Sequence, residues 1–208
     1  MPAVNSTLRN SYGNESIKFI LIRHGEATHN SGAETEGDAA YENPAYRNSH
    51  LTEKGVNQAA DAGRKIASTM TSSAAALWCS PLQRCMQTAE QVMKSVDVPL
   101  NQMYLHDSLL ERLGRGHVCN MRAPTGEIRR DWPDFNANML PDVGPEWKGI
   151  EGRQSVKFRM TMLLEHLKRV YAGSAEPVII VSHHDALFEI LGTSLKNAEY
   201  VVTDLLQS

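Results

Sequence analysis

Three short stretches hold residue types that bind anions and move protons. The first is FILIRHGEATHN, Phe19 to Asn30, where an apolar run ends in Arg23-His24-Gly25 instead of an ordinary turn. The second, CSPLQRC, carries Ser80 and Arg84 between two cysteines. The third, VSHHD, ends another apolar run in His183-His184. Two arginines and two histidines brought to one place make a strong anion pocket, because a guanidinium offers a rigid donor fork that matches a phosphate's oxygens. Neutral imidazole is a competent nucleophile toward phosphorus, and water can later cleave the phosphoramidate it forms. Phosphoryl transfer asks mainly for positioning and charge neutralisation, so this design needs neither a metal nor another cofactor. A leaving alkoxide needs a proton, and Glu111 and Glu26 are the local carboxyl candidates.

The elements that would position these groups can be read from apolar patterning. Ile17–Ile22 and Pro177–Ser182 read as buried strands, and AAALWCS from Ala74 as another. VPLNQMYL, residues 98–105, is a candidate third strand, and a final short strand is expected near Tyr200–Val202. LTEKGVNQAADAGRKIAS reads as a helix with Thr52 as N-cap and a Leu51–Val56 staple. Ser80 and Pro81 look like the cap and first position of the next helix, which places Arg84 in its first turn. Ser155–Tyr171 is amphipathic, with Met160 and Met162 expected in the core. Residues 31–50 read as a long loop, and 111–154 as an irregular cap outside the core. Alternating strands and helices imply a mainly parallel sheet covered on both faces, with ligands at the carboxyl ends of its strands. Arg23-His24, Ser80 with Arg84, and His183-His184 would then share one rim.

The bulk numbers fit this reading. The chain has 208 residues, 41% hydrophobic and 22% charged, with a net charge of −3. We expect a polar tail over 1–16 and one domain over 17–208, with a cap insertion at about 112–154. Nothing points to nucleic acid or to a membrane surface, and no apolar run approaches the roughly 18 residues that span a bilayer. The three cysteines, Cys79, Cys85 and Cys119, form no CxxC pair. A reducing, cytoplasmic or nuclear setting is therefore expected, with a monomer or homodimer acting on a small phosphorylated substrate or a phosphoprotein.

In this order, LIRHGEATHN, CSPLQRCMQTAE, LLERLGRG and VSHHD resemble the histidine phosphatase superfamily, also called phosphoglycerate mutase-like. The resemblance spans residue 17 to about residue 190. It implies an α/β fold, a three-layer α/β/α sandwich with a mixed, mostly parallel central sheet. It also implies that His24 becomes phosphohistidine and that Arg23, Arg84 and His183 hold the phosphoryl group. Asn30 would be a further phosphate contact and Glu111 the proton donor. The segment RGHVCNMRAPTGEIRRDWPDF is similar to a plant and fungal subgroup whose cap carries Cys-Asp-Arg-Arg. Here the residues are Cys119-Asn120-Met121-Arg122, which makes Arg122 a candidate substrate-selecting residue.

Several plainer readings stand beside these. His183-His184-Asp185 contains metal-ligand types, but no H-x-H or H-x-x-x-H set accompanies them. His184 is expected to pack or hydrogen-bond under the pocket. Cys79 and Arg84 are separated by four residues, whereas cysteine-phosphatase loops need five, so Cys79 reads as a buried thiol. Tyr41, Tyr46, Arg47 and His50 are candidates for the pocket entrance, and Arg129-Arg130 for plain surface charge. Phosphomonoester hydrolysis, mutase chemistry of the phosphoglycerate type and an inactive scaffold all remain open. The sequence RHGEATHN, in place of the RHGESxWN of many mutases, favours hydrolysis.

Overall fold

The structure is a computed structural model that describes residues 17–114, 116–145 and 149–204, so the expected 1–16 tail lies outside the described residues. Five strands form one sheet: β1 Phe19–Arg23, β2 Ala76–Cys79, β3 Met103–Leu105, β4 Val178–Ser182 and β5 Tyr200–Thr203. Their order is β3-β2-β4-β1-β5, parallel throughout except for the antiparallel β5 edge. Central strands buried on both faces cannot alternate apolar with polar, which is why the runs FILI, ALWC and VIIV are unbroken.

The helices are α1 Thr28–Glu36, α2 Ala39–Glu42, α3 Glu53–Thr69, α4 Gln83–Met93, α5 Thr125–Asp131, α6 Arg153–Val170 and α7 His184–Leu191. One sheet face, with Ile20, Ile22, Leu77, Ile179 and Val181, packs on Ile66 of α3 and on Met86, Ala89 and Val92 of α4. The other, with Phe19, Leu21, Trp78, Val178 and Ile180, packs on α6 and α7. The three-layer α/β/α sandwich with its mixed, mostly parallel sheet is therefore as the sequence implied.

Local departures have physical causes. Residues 31–50 are not one loop, because α1, α2 and a 3-10 turn at Pro44–Tyr46 occupy much of the span. Polar α1 carries no apolar stripe, and tertiary packing that buries His29 and Gly32 replaces that signal. Residues 98–105 yield only three residues of strand, after a 3-10 turn at Leu100–Gln102. The segment 111–154 does enter the core: Ile128, Phe135, Ala137 and Leu140 are buried in the α3–α4 layer. On α6, Met160 is buried as expected, but Met162 is exposed. Thr52 caps α3 as read, accepting from Gly55 N at 3.0 Å. Ser80 does not cap α4, which starts at Gln83, because its hydroxyl is taken by His183.

Gly25 and Gly55 pack backbone to backbone. A Cβ on Gly55 would fall inside van der Waals contact with the Glu26 carbonyl oxygen, and one on Gly25 would strike the Gly55 carbonyl. Both partners are main chain and cannot swing away. Gly55→Ala is therefore expected to destabilise the protein by about 1–3 kcal/mol and, by pushing the loop that holds His24, to lower kcat. Gly126→Ala on α5, with open space around it, should leave both unchanged. Thermal melts and turnover of the two variants check this; equal melting temperatures would contradict it.

Candidate active site

β4 lies between β1 and β2, so three strand ends meet at one level, with Arg23 paired to Ser182 and Cys79 to Val181. The ladder continues one residue past the strands, His24 N donating to Ser182 O and Ser80 N to Val181 O, each at 3.0 Å. His24 and His183 thus leave neighbouring strands side by side, with ring centroids 5.1 Å apart in an edge-on arrangement.

The tautomer of His24 is fixed by its neighbours. Nδ1 lies 2.7 Å from the Gly25 carbonyl oxygen, which can only accept. The proton is therefore on Nδ1, and Nε2 keeps its lone pair, toward which Arg84 Nε donates at 3.3 Å. Burial, then Arg84, His29 and Arg23, hold the His24 pKa well below its ordinary 6.5. The ring is thus neutral with Nε2 unprotonated, the form a nucleophile requires. The outer nitrogens of Arg84 are anchored to Cys119 O at 2.7 Å and Asn120 Oδ1 at 2.8 Å. Those anchors aim its Nε at the histidine. Arg23 is tied by Nη1 to Leu195 O at 2.7 Å, while its buried Nε has no hydrogen-bond partner.

His183 backs this group, with Nε2 2.7 Å from Ser80 Oγ. Burial and then Arg84 and His24 lower its pKa well below 6.5. Glu111 lines the same cavity as Arg23, His24 and Arg84. Its oxygens accept from the backbone N–H groups of Arg112 (2.8 Å), Ala186 (3.2 Å) and Asp185 (3.3 Å). Burial, then the Asp185 charge, nonetheless raise its pKa above 4.5. Behind it, buried Glu151 pairs with half-buried Arg159 at 2.8 Å, and Arg159 donates to the carbonyls of Ser108, Leu110 and Glu111. That pair holds the turn which presents the Glu111 carboxyl.

Other candidate residues are sorted by position. Asn30 lines the cavity, as does Tyr41. Tyr46 instead bonds Glu36, and Arg47 and His50 lie away from the cavity. Glu26 faces Lys54 at 2.6 Å and Thr52 at 2.9 Å, and the Lys54 contact first of all lowers its pKa. It is outside the cavity, which leaves Glu111 as the carboxyl there besides Asp185. Arg122 is also outside the cavity, contrary to the substrate-selecting position expected for it. Its buried fork is consumed by Asp107 and by the carbonyls of Ala123, Pro141 and Val143, which pins the 112–154 segment together. His184 lies at the cavity wall, not beneath it, bonded to Asp185 at 2.9 Å and Ser194 at 2.7 Å. Among the described residues no three His, Cys, Asp or Glu side chains are placed to hold a metal ion. Burial pushes the Cys85 thiol up to about 12, raises Cys79 well above 9.0 and raises Cys119, which disfavours the thiolate at each.

Sequence reasoning missed His29, Arg112, His117 and Arg153, all of which line the cavity. His29 is buried beside His24, ring centroids 6.1 Å apart, and burial pushes its pKa to about 2. The cavity measures about 560 Å³, far more than a phosphate needs.

Three histidines held neutral imply a definite acid response. An unfolded chain protonates His24, His29 and His183 near pH 6.5, and the folded chain does not. Each therefore removes about 1.4 kcal/mol of stability per pH unit once pH falls below that value. Glu111 acts oppositely: its raised pKa adds stability as pH falls through the folded value toward 4.5. Urea unfolding between pH 7.5 and 5 should show stability falling with a net uptake of about two to three protons. A flat profile would contradict the neutral burial of these rings.

The model of the histidine phosphatase superfamily, branch 1, matches residues 19–200. The chain belongs to that superfamily. Solved structures similar over nearly the whole chain include an ecdysone phosphate phosphatase from Bombix mori in complex with tungstate. It is 14% identical, with a TM-score of 0.67, over 89% of this chain and 88% of that one. A mycobacterial glucosyl-3-phosphoglycerate phosphatase complexed with VO3 is 18% identical, with a TM-score of 0.59, over 89% and 90%. A structure described as that of a candidate alpha-ribazole-5'-P phosphatase from Escherichia coli is 18% identical, with a TM-score of 0.58, over 90% and 89%. At these identities the likeness shows the superfamily's fold. Among curated proteins none matches. Among the described residues no helix is long and apolar enough to cross a membrane.

Proposed function

We propose that this chain hydrolyses phosphate monoesters through a phosphohistidine on His24. The observation that carries the reading is the neutral His24 ring, with its Nε2 lone pair free of a proton, between two arginines and a protonatable carboxyl. Nε2 attacks phosphorus and the bond to the leaving oxygen breaks, while Glu111 gives that oxygen a proton. Water then attacks phosphorus, the Glu111 carboxylate takes its proton, and the P–N bond breaks. Arg23 and Arg84 neutralise the phosphoryl group throughout, with His183 as a neutral neighbour, so the design asks for no metal. Asn30 stands at the same wall as a further contact. The names of the similar structures, three phosphatases, two of them holding phosphate-like oxyanions, support the reading.

Arg112 and Arg153 favour a second reading. Their ion pairs, to Asp185 and Glu189, are stretched to 3.7 and 3.6 Å, which leaves charge at the cavity for a second anionic group. A phosphoglycerate mutase would use it to hold a carboxylate. An inactive scaffold would be expected to lack one of the five central groups, and all are present. Phosphate release from an aryl phosphate in excess chelator, with an acid-labile, base-stable phosphoenzyme on quenching, is the expected result. Turnover of phosphoglycerate only in the presence of its bisphosphate would select the mutase, and no turnover on either substrate would select the scaffold.

A further inference from the structure

Among the described residues three buried side-chain polar atoms lack a hydrogen-bond partner: Arg23 Nε, His29 Nδ1 and Glu165 Oε1. Glu165 lies on α6, away from the cavity. The other two belong to residues of the same cavity. Arg23 Nε is a donor by its chemistry. His29 Nδ1 is a donor because its neighbours leave no other choice. Asn30 Oδ1 accepts from Ala27 N at 3.0 Å, so the other end of that amide, Nδ2, is the N–H donor. Nδ2 lies 3.1 Å from His29 Nε2, which must therefore present a lone pair. With Nε2 accepting in a neutral ring, the proton is on Nδ1.

A buried N–H without a partner costs free energy, and such groups in a native fold call for an explanation. An oxyanion in the cavity explains both at once. His29 stands in the first turn of α1, beside His24 on one side and Tyr41 on the other, at ring distances of 6.1 and 5.7 Å. With the two rings 6.1 Å apart at one cavity, a phosphoryl group held about 3–3.5 Å from the His24 nitrogen is within reach of the His29 ring.

We propose that His29 is a further substrate-binding residue, donating Nδ1–H to the phosphoryl group presented to His24. This rests on the reading of His24 as the phosphoryl acceptor. A neutral donor adds a directed contact with no fixed charge, so it can follow the phosphoryl oxygens without holding back the phosphate product as another cation would. Asn30 then acts through His29 as a positioning residue that sets its tautomer.

The probe is orthovanadate, with its dissociation constant measured for wild type, His29→Phe and His29→Asn. Phe keeps a ring without a donor; Asn returns an N–H at the position of Nδ1. His29→Phe is expected to weaken vanadate binding by about 10–100-fold, with Asn recovering most of the loss. Binding within twofold of wild type in His29→Phe, or an equal loss in both variants, overturns the proposal. Wild type that binds no vanadate overturns the phosphatase reading itself, so the two failures are distinct. Should His29→Phe fail to fold, wild type with 15N-labelled histidine rings decides. One imidazole N–H signal, missing in His29→Asn, must shift downfield when vanadate is added, and its failure to move overturns the assignment.

Discussion

His24→Ala is expected to lower kcat on any phosphate monoester by on the order of a thousandfold or more. The reason is specific to this ring. Its Nδ1 proton is committed to Gly25 O, and burial with its cationic neighbours keeps it neutral, so the lone pair on Nε2 is present at every working pH. Two neighbours that could stand in are otherwise held: burial pushes the Cys85 thiol up to about 12, and His183 is bonded to Ser80. Phosphoenzyme should vanish with turnover, and added imidazole, small enough for the vacated space, should restore part of the rate. His24→Gln keeps a polar group near Arg84 Nε and separates lost chemistry from lost packing. Residual activity within tenfold of wild type, in protein with an unchanged melting temperature, would remove His24 as nucleophile.

Glu111→Gln should cost about a hundredfold to ten-thousandfold on alkyl phosphates and tenfold or less on a nitrophenyl phosphate. An alkoxide cannot leave without a proton, whereas a nitrophenolate can. The carboxyl sits where burial and the Asp185 charge favour its protonated form, against three backbone N–H groups that favour the anion. Because the acid form is the active one in the first step, kcat/KM on alkyl substrates should fall as pH rises through the raised Glu111 value. Glu111→Gln should abolish that limb, and Asp185→Asn should move it to lower pH by removing the second cause of the shift. Equal losses on both leaving groups would mean that Glu111 orients the substrate and transfers no proton.

The chemistry of the rim was legible because strands read plainly. FILI, ALWC and VIIV are unbroken apolar runs that must be buried on both faces, and the residues next after each must stand at a carboxyl edge. Arg23, His24, Ser80, Arg84 and His183 would share one rim if the three strands were neighbours, and the sheet order makes them so. Helix α1 could not be read, since its polar sequence has no periodic signal. With it His29 went unseen, although it is the last residue but one of RHGEATHN. Arg122 looked like a free cation because a sequence does not show that Asp107 and the carbonyls of Pro141 and Val143 converge on it from up to 21 residues away.

Sequence alone therefore determined the strands, their covering helices and the residue types of an anion-binding, proton-transferring rim, because hydrophobic burial is local in pattern. Tertiary structure decided which groups are neutral, which nitrogen carries the proton, and which carboxyl faces the cavity. Glu26 and Glu111 are equal as letters. Lys54 meets one and lowers its pKa, while burial raises the other, and such contacts join residues far apart in the chain.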